Sequence, residues 1–253
     1  MAKNVEEIIT MVVIKRGDSW LGVSITATDV NELHQQLSML RSLKLRHHLL
    51  IEWRLDYWQQ LDIESLHLAN QLIRQQLPHY PLLLTLRTVV EGGRCQLNAT
   101  EYTEWLLMIS HNLDWDLLDV MPLQLLDPSA FNEQLDCAEQ QQLIYSYHHL
   151  KPSNFAENCA WLNQLAQYAR PQDLIKLAVQ TESLQNSLDL LNATLWMNYH
   201  SKQPLITMGM GQSGQITRQL GPIFGSVLSF GSLVSGGSAP GQLPLLQLDQ
   251  LVN

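Results

Sequence analysis

Residues 174–179 read Leu174-Ile175-Lys176-Leu177-Ala178-Val179, a short apolar run with one lysine in its middle. Such a run, preceded by Asp173 and followed by polar residues, predicts a buried strand of a parallel sheet. The lysine requires an explanation, because desolvation disfavours the charged form of an amine and lowers its pKa. A neutral amine in a cleft is a nucleophile that forms Schiff bases with carbonyl compounds. The alternative is a lysine at a sheet edge or one that extends its charge to water, and this stretch alone leaves both open.

The rest of the chain predicts seven further strands, most of them separated by helical segments. The eight strands are expected near residues 20–26, 48–54, 82–87, 116–121, 143–147, 174–179, 204–208 and 223–229. In a chain of 253 residues this alternation favours an α/β protein with a (β/α)8 TIM barrel, residues 1–253 forming one domain, over an open doubly wound sheet. No Walker A motif supports a nucleotide-binding sheet. An apolar run at residues 8–14 predicts one more strand, as part of an N-terminal β-hairpin ahead of the barrel.

Capping residues and apolar stripes indicate the helices. Asp29, with Glu32 three residues later, predicts an N-cap, and Ser183 predicts another. The stripe expected to face the core in the first of these helices consists of Val30, Leu33, Leu37 and Leu40. In the helix after Ser183 it consists of Leu184, Leu188, Leu191 and Leu195.

Composition excludes several classes of partner. A net charge of −9 without basic runs argues against nucleic acid and against anionic membrane surfaces. A small anionic substrate stays open, because a local arginine cluster can override the global charge. Cys95, Cys137 and Cys159 are far apart and form no CxxC pair, which indicates free thiols in a reducing cytoplasm and no zinc site. The N-terminus lacks the apolar core of a signal peptide and no run is long enough to span a membrane, so we expect a cytoplasmic protein.

Charged side chains follow several predicted strands at their carboxyl ends. Alternation along residues 48–56 places Glu52, Arg54 and Asp56 on one side of the second strand. Taken singly, each such group is equally well explained as a solvated strand end. In a barrel, however, strand ends that are distant in sequence meet around one mouth. The side chains expected to face this pocket are Glu52, Arg54, Arg87, Glu91, His148, Lys176 and Arg218.

This set of side chains predicts a chemistry. Several cations near Lys176 would lower its pKa further, and a histidine near a nucleophilic lysine is suited to move protons. The arginines would hold a carboxylate. The prediction is a lysine Schiff-base enzyme that acts on a small anionic ketone or aldehyde. An iminium acidifies the neighbouring C–H bond, which enables either elimination or C–C cleavage, and the residues alone do not choose between these reactions.

Seven short motifs stand in order along most of the chain, from about residue 21 to residue 251. They are EWRLD (52–56), LTLRTVVEGGR (84–94), SYHHL (146–150), LIKLAV (174–179), ITMGMGQSGQITR (206–218), FGS (224–226) and SAPGQ (238–242). Each is weak alone, but together, in this order and at these spacings, they are highly specific. They resemble type I 3-dehydroquinate dehydratase, the shikimate-pathway lyase.

The resemblance implies a (β/α)8 barrel that is usually a homodimer and uses no metal or cofactor. It implies the conversion of 3-dehydroquinate to 3-dehydroshikimate and water. In this reading Lys176 forms the Schiff base with the ketone. His148 removes the neighbouring proton and then protonates the departing hydroxyl, so that elimination is syn, and Glu91 orients His148.

The same resemblance implies the contacts with the substrate. Arg218 would pair with the substrate carboxylate. Hydroxyls and other polar groups would be held by Ser24, Glu52, Arg54 and Arg87. A glycine-rich segment that closes over the substrate and excludes water would include or adjoin Phe230, Ser238 and Gln242.

The chain departs from the family's pattern beside the catalytic positions. His149 stands where the family usually has Asp, and Met121 where it often has an acidic residue. Residues 180–182 replace a Met-Pro-Gln stretch, and one extra residue stands between Phe230 and Ser238. These changes concern the surroundings of His148 and the shape of the lid, and they remove no residue that the chemistry needs.

Two alternatives stand beside the dehydratase. A class I aldolase-type enzyme would share the Schiff-base lysine and should offer a phosphate cradle near the last strands. The second alternative is a barrel that binds an anionic metabolite without turnover. Substrate choice separates the first from the dehydratase, and binding without turnover would indicate the second.

Overall fold

The computed structural model describes residues 13–233 and 239–252. Its strands are β1 (Trp20–Ile25), β2 (His48–Arg54), β3 (Leu82–Thr85), β4 (Leu117–Val120), β5 (Gln142–His149), β6 (Leu174–Gln180), β7 (Leu205–Met210) and β8 (Leu228–Gly231). Its α-helices are α1 (Val30–Ser42), α2 (Ile63–Gln76), α3 (Ala99–Asn112), α4 (Pro128–Gln134), α5 (Phe155–Ala166), α6 (Leu184–His200), α7 (Gln215–Phe224) and α8 (Leu245–Leu251). Strands and helices therefore alternate along the chain.

The eight strands form one sheet in which every hydrogen-bonded neighbour is parallel. The order is β7-β6-β5-β4-β3-β2-β1-β8, so β1 lies between β2 and β8. A parallel bridge between Leu205 and Ser226 connects the two ends of this order. There the backbone N–H of Val227 donates to the carbonyl oxygen of Leu205 at 2.7 Å. The sheet is a nearly closed ring, and the predicted (β/α)8 TIM barrel is confirmed.

The segment that precedes β1 reaches the amino-terminal end of the barrel. The backbone N–H of Ile14 donates to Gln142 Oε1 at 2.8 Å, and its carbonyl oxygen accepts from Gln142 Nε2 at 3.0 Å. The N-terminal hairpin predicted from residues 8–14 lies largely outside the described residues. That residues 1–253 form one domain stays a prediction.

The barrel interior is built in layers, because side chains two positions apart on a strand point the same way. The layer near the amino ends is apolar and consists of Leu50, Leu83, Leu117, Ile144, Leu174, Ile206 and Leu228. Two positions further along the same strands stand Glu52, Thr85, Asp119, Ser146, Lys176, Met208 and Phe230. An apolar floor therefore lies beneath a layer that is mostly polar.

The predicted N-caps are confirmed. Asp29 Oδ1 accepts hydrogen bonds from the backbone N–H groups of Asn31 and Glu32 at 2.8 and 2.9 Å. Ser183 caps α6 in a reciprocal arrangement with Asn186. These side chains satisfy N–H groups that have no partner within the helix.

The apolar stripes are only partly where the sequence places them. In α1, Leu33, Leu37 and Leu40 are buried, but Val30 is 48% exposed, so its assignment to the core is wrong. In α6 the predicted stripe is wrong for most of its members, because Leu184, Leu188 and Leu195 are exposed. The buried side of α6 consists of Ser187, Leu190, Leu191, Ala193, Thr194 and Met197.

Small polar side chains explain how α6 packs. Ser187 Oγ donates to the carbonyl oxygen of Ser213 at 2.7 Å, and the hydroxyls of Thr194 and Thr207 lie 2.7 Å apart. Hydroxyls that find partners are tolerated in the core and allow the helix to approach the strands closely. The leucines on the opposite side of α6 are left at the surface.

The last predicted strand is wrong at its start. Residues 223 and 224 belong to α7, which ends at Gly225 with φ 109, and β8 begins only at Leu228. A short apolar run does not distinguish the end of a helix from a strand. Pro222, which disfavours the interior of a helix, is accommodated in the last turn of α7. Within the described residues, no helix has both the length and the apolar character needed to cross a bilayer.

Candidate active site

A cavity with about 340 Å³ of empty space opens toward the carboxyl ends of the strands. It is lined by Glu52, Arg87, His148, Lys176, Ala178, Met208, Met210, Arg218, Phe230, Ala239 and Gln242. Most of the charged residues predicted to face one pocket therefore do so. Ligand sites of TIM barrels are found at this end, where loops from many strands converge.

The amine of Lys176 is buried inside the barrel. The residue is 2% exposed, and Nζ donates to Asp119 Oδ2 at 2.7 Å. A second carboxylate oxygen, Glu52 Oε1, lies 3.9 Å from Nζ. Arg87 and Arg218 line the same cavity, as the sequence predicts, but the ion-pair partners of Nζ are two carboxylates.

An aromatic ring forms one wall beside this amine. The centroid of the Phe230 ring lies 5.3 Å from Lys176 Nζ. Phe230 belongs to β8 and is buried, so it is part of the barrel and not of a loose segment. The ring fits there because residue 22 is glycine, since a Cβ at that position would lie 2.7 Å from Phe230 Cδ1.

His148 and Glu91 form a buried pair at the edge of the cavity. Glu91 Oε2 accepts two hydrogen bonds from His148, one from the backbone N–H at 2.9 Å and one at Nδ1 at 2.8 Å. Both donors are directed at one carboxylate oxygen, which fixes the ring relative to Glu91. With Nδ1 held by Glu91, Nε2 is the nitrogen left to exchange a proton with a ligand.

Burial shifts the pKa values of this pair in opposite directions. Burial, assisted by the charges of Arg87, Lys176 and Arg54, lowers the pKa of His148 well below its usual value. Burial raises the pKa of Glu91 to about 8, although Arg87 and the backbone N–H of His148 oppose that shift. The imidazole is therefore neutral at physiological pH, as a proton acceptor must be.

Glu91 has a further neighbour that the sequence analysis does not predict. Gln124 Nε2 donates to Glu91 Oε1 at 3.4 Å, and Gln124 Oε1 accepts from Thr88 Oγ1 at 2.6 Å. The hydroxyl of Thr88 thus fixes which way the amide of Gln124 faces. Gln124 follows β4 in a short 3-10 turn, and nothing in its sequence context distinguishes it from a surface glutamine.

Glu52 is a buried carboxylate that lies 3.9 Å from two cations of the cavity, Arg87 and Lys176. Its oxygens accept hydrogen bonds from Ser24 Oγ and, at 3.0 Å, from Thr85 Oγ1. Burial by itself would raise the pKa of Glu52, but the charges of Lys176, Arg87 and Arg54 outweigh it and lower the pKa to about 2. Glu52 is therefore ionised over the whole physiological range.

Two arginines of the cavity carry N–H groups that lack partners. Arg218 is fully buried, and its Nη1 donates to the carbonyl oxygen of Phe230 at 3.3 Å. Within residues 13–233 and 239–252, Nε and Nη2 of Arg218 and Nε of Arg87 find no hydrogen-bond partner. Burial lowers the pKa of Arg218 to about 10, which leaves it charged at neutral pH. Buried guanidinium donors of this kind are suited to an anionic ligand.

The remaining predicted substrate contacts have different surroundings. Gln242 lines the cavity, whereas Ser238 lies outside the described residues. Arg54 is not among the lining side chains, because its guanidinium pairs with Asp56 through two hydrogen bonds of 2.8 Å. Burial alone would lower the pKa of Arg54, but Asp56 more than offsets this and raises it. The predicted contact between Arg54 and a substrate stays a prediction.

Asp119 is a member of this site that was not predicted from the sequence. Besides its contact with Lys176, its Oδ1 accepts a hydrogen bond from Ser146 Oγ at 2.6 Å. The sequence carried a usable signal, because Asp119 stands in the apolar run of β4 two positions after Leu117, just as Lys176 stands two positions after Leu174. A buried charge in a strand interior indicates a partner in a neighbouring strand.

Comparison with known proteins identifies the family. A family model described as Type I 3-dehydroquinase matches residues 21–253. The chain belongs to this family. It is therefore an enzyme, a 3-dehydroquinate dehydratase of type I, which is a hydro-lyase. The resemblance found in the sequence is confirmed.

Individual relatives agree with the family assignment. The chain is 34% identical over 232 residues to the 3-dehydroquinate dehydratase of Lactiplantibacillus plantarum, which covers 90% of this chain and 89% of that one. A solved structure of type I 3-dehydroquinate dehydratase from Clostridium difficile, with covalently modified comenic acid, is 28% identical and has a TM-score of 0.81, covering 95% of this chain and 93% of that one. The structure of the dehydratase from Geobacillus kaustophilus has a TM-score of 0.83 at 26% identity, covering 96% of both chains.

Among the departures from the pattern of the type I 3-dehydroquinases, Met121, His149 and Thr181 lie within the described residues, whereas the extra residue belongs to a stretch that is largely outside them. Met121 is buried in the apolar core between strands and helices, and His149 packs against the rings of Tyr147 and Trp161. Thr181 Oγ1 donates to the carbonyl oxygen of Met210 at 2.6 Å. None of these side chains is among those that line the cavity. In the part of the chain that the structure describes, no group of three or more His, Cys, Asp or Glu side chains is arranged to hold a metal ion.

Proposed function

We propose that this enzyme converts 3-dehydroquinate to 3-dehydroshikimate and water, within the shikimate pathway, through a Schiff base on Lys176. The observation that carries the proposal is the buried amine of Lys176, which shares one cavity with the imidazole of His148 and the guanidinium of Arg218. Relatives from Lactiplantibacillus plantarum and Clostridium kluyveri that bear the name 3-dehydroquinate dehydratase support the same substrate and product.

The first stage is attachment of the substrate. The amine of Lys176 attacks the ketone carbon, and loss of water leaves a protonated imine. This iminium withdraws electrons from the neighbouring carbon more strongly than the ketone does, and it therefore acidifies the C–H bond next to it. The covalent link also fixes that C–H bond relative to His148.

The second stage is syn elimination. Nε2 of His148 removes the acidified proton, and the electron pair left behind forms an enamine with the iminium. His148 then returns a proton to the departing hydroxyl, which leaves as water from the same face. Hydrolysis of the remaining imine breaks the C–N bond, which releases 3-dehydroshikimate and frees Lys176. Glu91 keeps Nδ1 protonated and stabilises the imidazolium that forms between the two steps, as its two hydrogen bonds with His148 support.

The third element of the proposal is recognition. The unpartnered N–H groups of Arg218 would pair with the substrate carboxylate, and those of Arg87 would hold a polar group of the ring. Further contacts with hydroxyls are assigned to Ser24, Glu52 and Arg54. Closure over the substrate is assigned to the segment that contains Ser238 and Gln242.

Reductive trapping tests the covalent step. Borohydride reduces an iminium to a stable secondary amine, so incubation with 3-dehydroquinate and borohydride should add the reduced ligand to the peptide that contains Lys176. Lys176→Ala should give no adduct. The matched variant Lys202→Ala, which removes an exposed lysine just after α6, should react like the parent. No adduct on folded parent enzyme would refute the proposal and direct the search to phosphorylated aldehydes and ketones.

We also infer a homodimer, and the outer face of α6 is the surface that supports it. Leu184, Leu188, Leu195 and Tyr199 recur on one side of this helix and are exposed, and Ile223 of the adjacent α7 is exposed as well. Exposed apolar side chains that recur along one side of a helix commonly mark a protein interface. Leu188→Glu should convert dimers to monomers in sedimentation velocity, whereas Leu68→Glu, at an exposed leucine of α2, should not. A parent enzyme that sediments as a monomer would refute the inference.

We assign the enzyme to the cytoplasm. Cys95, Cys137 and Cys159 are free thiols in the structure, as they would be in a reducing compartment. Cell fractionation followed by immunodetection tests the assignment. Recovery of the protein in an extracytoplasmic fraction would refute it.

A further inference from the structure

Asp119 is a buried carboxylate in the polar layer of the barrel, and the reaction proposed above gives it no role. The residue is 2% exposed. Its Oδ2 lies 2.7 Å from the amine of Lys176, and its Oδ1 accepts from Ser146 Oγ at 2.6 Å. Ser146 is also the residue of β5 that pairs in register with Lys176 of β6. The carboxylate is thus held between the two strands with one oxygen aimed at Nζ.

Schiff-base formation requires a group that takes a proton from this lysine. As an ammonium ion Nζ has no lone pair, so it cannot attack a ketone until it has lost a proton. Glu52 is poorly placed for this task, because its nearer oxygen is 3.9 Å from Nζ and already accepts from Thr85. Nδ1 of His148 is directed at Glu91, and Nε2 is the nitrogen that the proposed reaction assigns to the C–H proton of the substrate. Asp119 is within hydrogen-bond distance of the proton that must leave.

We propose that Asp119 is the proton acceptor that converts the ammonium of Lys176 to the nucleophilic amine, and that it is then the counter-ion of the iminium. The inference rests on the proposed Schiff-base function and adds a catalytic residue to it. A carboxylate that touches Nζ throughout can perform both tasks without moving, because Ser146 fixes its orientation.

Asp119 gives back at the end of imine formation the proton that it accepts at the start. A proton passes from Nζ to Asp119 Oδ2, and the freed lone pair attacks the ketone carbon to form a C–N bond while the carbonyl electrons move to oxygen. That oxygen takes up two protons, one from the nitrogen and one returned by Asp119, and leaves as water while the nitrogen lone pair forms the C=N bond. The net change is ammonium plus ketone to iminium plus water, with Asp119 again a carboxylate beside the new cation.

The test is the rate of adduct formation in Asp119→Asn. Rapid mixing with 3-dehydroquinate, quenching with borohydride and quantification of the Lys176 adduct by mass spectrometry give this rate at each pH. We expect it to fall about 100-fold at neutral pH, within the range typical for loss of a general base. It should also rise about tenfold for each pH unit, because the proton must then be lost to hydroxide in solvent. The parent should show a flatter dependence.

A matched control lies just before β4. Asp116 is also buried, and its Oδ2 accepts from the backbone N–H of Leu82 and from Arg74 Nη1 at 2.7 and 2.8 Å. Asp116→Asn should reduce stability but leave the adduct rate and its pH dependence unchanged. Added formate should accelerate adduct formation in Asp119→Ala and not in the parent, since a small carboxylate can enter the space left by the side chain.

The outcomes separate this inference from the function on which it rests. No adduct in the parent would refute the Schiff-base function itself. A parent that forms the adduct, with Asp119→Asn equally fast or faster at every pH, would overturn the role of Asp119, because the carboxylate would then only restrain the amine. If Asp119→Asn does not fold, Ser146→Ala retains the carboxylate but frees it, and an adduct rate equal to that of the parent would overturn the proposal.

Discussion

Single side chains carry much of the chemistry of this cavity, and Arg218 is the clearest case. An unpaired buried guanidinium is unfavourable for folding and favourable for binding an anion. Arg218→Gln should raise KM for 3-dehydroquinate by about 10- to 100-fold, since a hydrogen bond to a charged group contributes about 1.5–3 kcal/mol. The melting temperature of Arg218→Gln should not fall, because Arg218 has no ion-pair partner among the described residues. The substitution therefore leaves no buried carboxylate without its counter-charge. Steady-state kinetics and thermal unfolding measure the two effects.

Arg170→Gln provides the opposite pattern as a control. Arg170 forms two hydrogen bonds of 2.8 Å with the buried carboxylate of Asp173, far from the cavity. Its loss should lower the melting temperature and leave KM unchanged. If Arg218→Gln behaved like Arg170→Gln, Arg218 would be a structural residue and the carboxylate site would have to be sought elsewhere.

Gln124 gives a prediction about pH. Glu91 must be ionised to stabilise the imidazolium that His148 becomes during the reaction, and its pKa is about 8, so activity should rise with pH through this region. The hydrogen bond from Gln124 lowers that pKa. In Gln124→Leu we expect the acidic limb of the kcat profile to move upward by about 0.5 pH unit, as loss of a weak hydrogen bond implies.

The control for this change is a glutamine of α4. Gln134 Nε2 donates to the carbonyl oxygen of Ala130 on the protein surface, and Gln134→Leu should leave the kcat profile unchanged. A downward or absent shift in Gln124→Leu would contradict the assignment of Gln124 as a positioning residue of Glu91.

Residue patterns in the sequence account for some of these side chains and not for others. Lys176, His148 and Glu52 could be predicted because each is a charged or titratable residue at a strand, where burial demands a reason. Gln124 could not, since its function depends on a contact with Glu91 that only the folded barrel creates. Asp119 stood in an equally informative strand but lacked an obvious partner until β4 and β6 were brought together.

The sequence correctly predicts those features of the strands and helices that depend on residues close together in the chain. Strands β1 to β7 are found from their apolar runs, and helix starts from side chains that cap them. The start of β8 is not predicted correctly, because the apolar run at residues 223–227 fits the end of a helix as well as the start of a strand. The inward side of α6 is not predicted either, since it depends on which of its faces meets β7.

The turn between α7 and β8 gives a prediction about stability. Gly225 has φ 109, and a Cβ there would lie 2.5 Å from Cγ of Asn198 in α6. Gly225→Ala should lower the free energy of unfolding by about 1–3 kcal/mol, from backbone strain and the clash together. Gly17→Ala is the matched control, because Gly17 also has positive φ, 86, but a Cβ there would meet no atom of the described residues within 4 Å. Chemical denaturation should show a larger loss for Gly225→Ala, and equal losses would show that the contact with α6 contributes nothing.

At the scale of the whole protein, the buried carboxylates of the cavity make the free energy of unfolding depend on pH. Glu91 shows the direction of this dependence. Its pKa rises from 4.5 to about 8 on folding, so between these values the native state binds more protons than the unfolded state. Stability contributed by this group is therefore present at low pH and is lost as pH rises toward and through about 8. Glu52 has the opposite sign, because its pKa falls from 4.5 to about 2, so its contribution is present above 4.5 and is lost as pH falls from there through about 2.

Glu91→Gln should therefore separate stability from activity. The amide can still accept from the backbone N–H and Nδ1 of His148, but it cannot ionise. We expect a melting temperature above that of the parent by about 2–4 °C at pH 9, as a gain of about 1 kcal/mol implies for a chain of this size. The difference should shrink toward pH 6, where Glu91 of the parent is protonated, while kcat falls at every pH. Glu157→Gln, which weakens an exposed capping box of α5, should lower the melting temperature equally at both pH values. A Glu91→Gln enzyme that is less stable than the parent at pH 9 would mean that the ionised carboxylate is stabilised by its surroundings, and that burial does not set its pKa.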